Sequence, residues 1–211
     1  MKTVTFLLHT QQPILATSLQ GDPNSDVSHA YIPGSMIRGM LIGRYQKLYH
    51  TLERNILEND DVKRLFFNST TRYLNAYLFD SDRQKRTLPV PLCLYKDKAV
   101  DVTDEASVYD ICDFSQVEAI NRPKKFSPKH LEESFCIVDS NFLSLYSERR
   151  RINIHNQRNR QRGRGIEGSG AVFRYDAIDA GQTFQAVVVC DRDEDAQIIQ
   201  SLLQADNSEF L

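Results

Sequence analysis

At both ends of this chain a strand-like run leads into a helix-like run, and that pairing restricts the fold more than any other feature. Residues 3–9 (Thr3, Val4, Thr5, Phe6, Leu7, Leu8 and His9) are β-branched, apolar or aromatic for the most part and predict a strand. A polar loop follows, dense in turn formers at Gly21, Asp22, Pro23, Asn24, Ser25 and Asp26. Pro33 and Gly34 then make a turn, and Ser35 is placed to N-cap a helix that keeps an apolar stripe through Ile37, Leu41, Leu48 and Leu52, with Met36 and Met40 beside it, to about Arg54. At the other end, residues 183–190 predict a strand and 191–204 a helix. Asp191, Asp193, Glu194 and Asp195 suit its N-terminal dipole, and Ile198, Ile199, Leu202 and Leu203 form its apolar face.

The interior adds strands. Residues 72–79 and 88–95 are strand-like, with Pro89 and Pro91 confining the second to an edge or an irregular strand. Residues 150–155 form another candidate. Residues 171–175 and 183–190, with Asp179, Ala180 and Gly181 between them, read as a hairpin. Strand, helix, several strands, helix is an α+β pattern compatible with a ferredoxin-like, RRM-like sandwich, here one domain over 1–211 without internal repeats. Residues 96–148 lack clear periodicity, carry Arg122, Lys124, Lys125 and Lys129, and read as an insertion with little regular structure. Gly39 and Gly43 lie one turn apart in the first helix, each costing roughly 0.5–1 kcal/mol relative to alanine. That cost predicts close approach by another backbone.

Composition bounds the function. With 41% hydrophobic and 26% charged residues a buried core is expected. The net charge of −2 gives no global attraction to nucleic acid, so any such affinity must come from a local patch. Cys93, Cys112, Cys136 and Cys190 form no Cys-x-x-Cys pair and have no histidine at zinc spacing, so free thiols in a reducing cytosol are expected, with no metal and no cofactor. The apolar run near the N-terminus is too short for a signal-peptide core or a membrane span, which predicts a cytoplasmic protein with no membrane partner.

The strongest local patch is basic. Arg149, Arg150, Arg151, Arg158, Arg160, Arg162 and Arg164 place seven arginines in sixteen residues without an acid. Asn153, Asn156, Gln157, Asn159 and Gln161 add hydrogen-bonding groups, His155 adds an imidazole, and glycines enrich a loop over 156–170. A guanidinium fork suits phosphate oxygens, and such contacts give affinity without sequence choice. A flexible solvated loop is the plainer alternative, although concentrating arginines without acids is a poor route to solubility. A second candidate is the helix start, where free N–H groups, the Ser35 hydroxyl and Arg38 make an anion site. An ordinary capped helix explains the same residues equally well.

The run Ile32, Pro33, Gly34, Ser35, Met36, Ile37, Arg38, Gly39 resembles the Ile-Pro-Gly-Ser-x-(Leu/Ile)-(Arg/Lys)-Gly signature of the repeat-associated mysterious protein (RAMP) superfamily of CRISPR type III effectors. There it opens the first helix of a ferredoxin-like fold. Leu65, Phe66 and Phe67, followed by Tyr73, Leu74, Asn75, Ala76 and Tyr77, are similar to the segment after that helix in type III-D members. Ala171, Val172, Phe173, Arg174 and Tyr175, with Ala180, Gly181, Gln182, Thr183 and Phe184, resemble the family's paired strands. The resemblance covers residues 3–190 in order and points to the type III-D subunit that caps the guide RNA at its 5′ end. It implies binding to the repeat-derived 5′ tag and contact with neighbouring effector subunits, with target RNA as a further partner. The family's glycine-rich loop after the second helix has no counterpart before Leu211, since Gly163 and Gly165 come earlier. A continuing segment or a second chain is therefore expected to supply that loop and the last strand.

Three functional readings follow. The first is a non-catalytic guide-RNA-binding subunit using Ser35, Arg38, Arg151, His155, Arg158, Arg160, Arg162 and Arg164. The second is a metal-dependent, target-cleaving backbone subunit, whose relatives use an aspartate in the loop after the first strand. Asp22 and Asp26 occupy that loop, where turn chemistry beside Pro23 and Asn24 is the simpler role. The third is a metal-independent endoribonuclease that processes guide RNA with His29 or His155 as acid/base. A scaffold that binds only protein stands outside these three.

Overall fold

The structure is a computed structural model and describes residues 1–17, 25–49, 58–99, 102, 108–113, 127–139, 142–156 and 172–204. It is a mixed α+β chain, rich in sheet and poor in helix. In chain order the elements are β1 (Lys2–His9), β2 (Ser25–Val27), α1 (Gly34–Tyr49), α2 (Asp60–Val62) running into a π-helical stretch (Lys63–Phe67), β3 (Thr71–Asp80), β4 (Lys85–Arg86), β5 (Leu88–Pro89) and β6 (Leu94–Asp97). Then come β7 (Val108–Asp110), β8 (Pro128–His130), β9 (Phe135–Asp139), β10 (Phe142–Tyr146), β11 (Arg150–Asn156), β12 (Val172–Ile178), β13 (Thr183–Cys190) and α3 (Asp193–Gln204). Two compact units result. Unit 1 joins Met1–Ala76 to Arg150–Leu211, and unit 2 is Tyr77–Arg149. Among the described residues no helix is long and apolar enough to cross a membrane.

Unit 1 is built on the sheet order β1-β13-β3, with β1 antiparallel to β13 along its whole length, Lys2 opposite Cys190 and His9 opposite Thr183. The alternation of β13 sends Phe184, Ala186, Val188 and Cys190 to one side, where they are buried. On α1 the buried positions are Gly34, Ile37, Leu41 and Tyr45, and on α3 Asp195, Ala196, Ile199 and Leu202. The helix α3 packs on β1, β13 and α1. Burying each Ile, Leu or Phe of this set contributes roughly 1.5–3 kcal/mol.

One buried charge sits in this apolar setting. Asp195 is fully buried, and its Oδ1 accepts from Arg64 Nε at 2.8 Å. Arg64 also reaches Asp61 at 2.7 Å. The hydrogen bond to Asp195 is the main reason the Arg64 guanidinium is held above its ordinary value. The pair ties the π-helical stretch to the first turn of α3.

Several expectations change here. The first helix starts at Gly34, so Ser35 lies inside its first turn and is not the cap. Gly39 and Gly43 are exposed, and a Cβ at either would meet nothing within 4 Å, so among the described residues no backbone approaches them. The strands β12 and β13 do not form a hairpin. β12 lies between β11 and β2, and β13 lies between β1 and β3. The turn between them is present, with Gly181 at φ 74°, but its hydrogen bonds go to the N-terminal segment. Thr10 N–H donates to Gln182 O at 2.9 Å, Gly181 N–H to Thr10 O at 2.6 Å, and Ile14 and Ile178 exchange both of theirs at 2.9 Å. Residues 10–14 thus take the bonds a hairpin would have used.

Unit 2 holds what 96–148 was expected to lack. Its described residues form two three-stranded sheets, in the orders β10-β9-β5 and β7-β6-β8. Among the described residues β5 pairs only with β9, as its Pro89 requires of an edge. The end of β3 pairs with β4, Phe79 opposite Arg86. The guanidinium of Arg86 lies 4.3 Å over the Tyr77 ring, which contacts Phe135 at 5.6 Å between centroids. Phe135, Cys136 and Ile137 are its buried apolar side chains among the described residues, while Leu88, Leu92 and Val138 are exposed.

Candidate nucleic-acid interface

The Pro33-Gly34 start of α1 is fixed by backbone contact with β3. Ile32 and Ala76 exchange backbone hydrogen bonds at 3.1 and 2.8 Å. Asn75 Oδ1 accepts from the Gly34 N–H at 3.0 Å and so does the capping work expected of Ser35. A Cβ on residue 34 would stand 2.0 Å from the Tyr73 carbonyl oxygen, so only glycine lets the helix start this close to the strand. Sequence reasoning missed Asn75, because the cap comes from a strand 41 residues away.

Beside this junction lies a cleft of about 380 Å³, lined by Gly34, Ser35, Arg38, Phe67, Asn68, Ser69, Thr71 and Tyr73. Ser35 and Arg38 are exposed. Among the described residues Ser35 makes no hydrogen bond through its hydroxyl, and Arg38 has no ion-pair partner. The side chain of Thr71 is buried and its Oγ1 has no nitrogen or oxygen partner. The nearby Cys190 thiol is close enough to sense that hydroxyl, but burial dominates and pushes the thiol up to about 11. Tyr73 donates to Leu65 O at 3.0 Å, and burial raises its phenol well above the ordinary value. A helix N-terminus, an unpaired guanidinium and polar side chains around an open cleft attract an anion of phosphate size.

A second surface lies on the sheet β11-β12-β2. Alternation along β11 puts Arg151, Asn153 and His155 on one face, opposite Ala177, Tyr175 and Phe173 of β12. Arg151 and His155 are exposed, and the His155 and Tyr175 rings stand 5.5 Å apart at 56°. Cations beside aromatic rings on an open sheet face suit unpaired bases and their phosphates. Tyr175 was not singled out as a ligand, although its position opposite Asn153 makes it part of that face. Arg150 points elsewhere. It pairs with Asp176 at 3.2 Å and donates to the Ser28 carbonyl at 2.8 Å, so one arginine of the basic run is structural.

The remaining candidates divide. Asp26 does not sit in a turn but in β2, opposite Tyr175. His29 stacks on Tyr31, 5.0 Å between centroids and 14° from parallel. Asp22, Arg158, Arg160, Arg162 and Arg164 lie outside the described residues. In the sequence, those four arginines fall in the connection between β11 and β12. In unit 2, Cys93 and Cys112 come together beside Asp110, a grouping that eighteen intervening positions hid from the sequence.

The model of the RAMP superfamily matches residues 16–210. No curated protein matches the chain. Among solved structures, a type III-B Cmr-beta complex bound to cognate target RNA contains a chain 12% identical, with 95% of this chain and 88% of that chain covered and a TM-score of 0.46. The apo state of Cmr-beta gives 12% identity, 97% and 89% coverage and a TM-score of 0.47. Oligomeric Cmr4 from Pyrococcus furiosus gives 11%, 96%, 88% and 0.34.

Proposed function

The chain belongs to the RAMP superfamily, and from that premise we propose that it is a guide-RNA-binding subunit of a type III CRISPR effector ribonucleoprotein. Its role is to hold the 5′ tag of the guide, as the capping subunit does in type III-D, and the chain is not itself a catalyst. The observation that carries this reading is the cleft at the start of α1, where Arg38 stands without an ion-pair partner among the described residues beside the first turn of a sixteen-residue helix. A guide phosphate in that cleft would meet the guanidinium, the Ser35 hydroxyl and the helix dipole together. The β11–β12 face, with Arg151, His155 and Tyr175, would take adjoining nucleotides, and Arg158, Arg160, Arg162 and Arg164 would extend the contact along the backbone. The order β1-β13-β3, with a helix following β1 and another following β13, supports reading unit 1 as a ferredoxin-like sheet.

The test measures RNA affinity against salt for the chain and for Arg38→Ala, Arg151→Ala and their combination. Each phosphate contact removed should flatten the slope of log K against log salt by about 0.7 for single strands, with affinity falling alike on unrelated sequences. An unchanged slope in the folded double variant would discard both surfaces.

A second reading has one observation in its favour. Asp26 is held in β2 opposite Tyr175, and among the described residues its carboxylate has no partner. That leaves it available for metal-dependent cleavage of a target RNA. Loss of one cleavage position in Asp26→Ala, with the guide still bound, would favour this reading over the first.

A further inference from the structure

We infer that unit 2 carries a zinc site formed by Cys93, Asp110 and Cys112, one that locks together the ends of β6 and β7. The ligand atoms of these three side chains lie within 4.8 Å of one another. Tetrahedral zinc with thiolates at about 2.3 Å requires sulfurs roughly 3.8 Å apart, so rotation of the side chains closes the set. Two thiolates favour zinc over the hard cations, and the carboxylate oxygen can serve as a third zinc ligand. The fourth position falls to water.

The backbone prepares this geometry. Cys93 sits in a turn closed by Leu94 N–H donating to Pro91 O at 3.1 Å, and Cys112 in a turn closed by Asp113 N–H donating to Asp110 O at 3.1 Å. Each cysteine is thus presented by a tight turn. The two turns lie at the same end of the β6/β7 ladder, where Leu94 faces Asp110 and Ile111 N–H donates to Cys93 O at 3.0 Å. Asp110 Oδ1 accepts from the Cys112 N–H at 2.8 Å, which aims the carboxylate at the cysteine's own turn. On binding, both thiol protons leave to solvent and two Zn–S bonds form, so uptake of zinc releases two protons.

The surroundings give the site a purpose. β6 and β7 are strands of four and three residues with no fully buried side chain between them, and Ile111 is exposed. A ladder that short, its described side chains only half-buried, gains from a metal clamp as other small units do. This role is independent of RNA.

The experiment uses the full chain, purified anaerobically. Metal analysis is expected to find one zinc per chain. Replacing the zinc with Co²⁺ is expected to give a thiolate-to-cobalt charge-transfer band with tetrahedral d–d absorption, and Cys93→Ser and Cys112→Ser are expected to lose both. Because a serine variant can simply misfold, the wild-type cobalt spectrum decides first, and a chain that takes up Co²⁺ without that band overturns the site. A Cys93–Cys112 disulfide in the peptide map of the anaerobic protein overturns it as well, as does undiminished zinc in a folded Cys93→Ser, Cys112→Ser double variant. Amide exchange at residues 94–97 that quickens when a chelator strips the zinc supports the clamp, and exchange that stays the same counts against it.

Discussion

Unit 1 and unit 2 solve the problem of stability differently. In unit 1 α1 and α3 bury side chains mostly at a spacing of three or four residues, and every second residue of β13 faces the core. Phe66, Phe184, Leu41, Leu65, Ile178, Ile199 and Leu202 are all essentially without exposure. Unit 2 has short strands, a core of Phe135, Cys136 and Ile137 among its described residues, and polar side-chain bonds around it. The hydroxyl of Thr87 donates to Leu78 O at 2.8 Å, Arg83 donates to the Ser144 hydroxyl at 2.6 Å, and Tyr146 donates to Asp80. One region is held by area removed from water, the other by a few anchors, and single substitutions should act on them in different ways.

The largest effects should come from a pair of variants, one in each unit. Arg64→Ala leaves the Asp195 carboxylate buried without its cation, which should cost about 3–5 kcal/mol. Phe135→Ala should cost a similar ~3–5 kcal/mol by opening a cavity in the smaller core. Amide exchange separates the two. Arg64→Ala should expose β13 and α3, whereas Phe135→Ala should expose β9 and β10 while β13 stays protected. Equal loss of protection throughout in both variants would mean that the two units unfold as one.

A smaller effect should appear in acid. The hydrogen bond from Tyr146, with help from the Arg83 and Asp82 backbone N–H groups, holds the Asp80 carboxyl below its usual value. A carboxyl depressed in the folded state contributes stability above its unfolded pKa of about 3.9, and that stability disappears as pH falls through the lower folded value. Tyr146→Phe should remove about 1 kcal/mol at neutral pH and shift the acid unfolding of unit 2 to higher pH. An acid transition at the wild-type pH would show that the bond contributes nothing.

The smallest effect runs the other way. Gly39→Ala places a methyl group where nothing lies within 4 Å, so α1 should gain about 0.5–1 kcal/mol. Thermal unfolding measures this directly. A loss in its place would mean that α1 needs a glycine there for a reason other than packing.

What could be read in the sequence was local. Ile37 and Leu41 and the alternation of Phe184, Ala186 and Val188 carry their burial in their spacing, so β1, β13, α3 and the first half of α1 were legible, whereas Leu48, placed on the same stripe, is exposed. Contacts between distant segments were not. Asn75 caps α1 from a strand, Arg64 finds Asp195 at a separation of 131 residues, and Thr10 takes the bonds that a hairpin at Gly181 would have made. The strands of unit 2 are two to five residues long, too short for a period to emerge, which is why 96–148 looked irregular. Of the candidate site residues, Arg38, Arg151 and His155 were named from charge and motif. Tyr175 was not named, because only the register of β11 against β12 sets it beside His155.

The ladder between β1 and β13 also sets an order of events during synthesis. Residues 2 to 9 find their partners at 190 to 183, so 174 to 188 positions separate each pair. Among the described residues β1 has no other strand beside it. At about 5–20 residues per second, the ribosome leaves the first strand unpaired for roughly ten seconds or more. Unit 2, contained within 77–149, can close its own ladders while β1 still waits. Unit 1 has high contact order and completes its sheet only once β13 has left the ribosome.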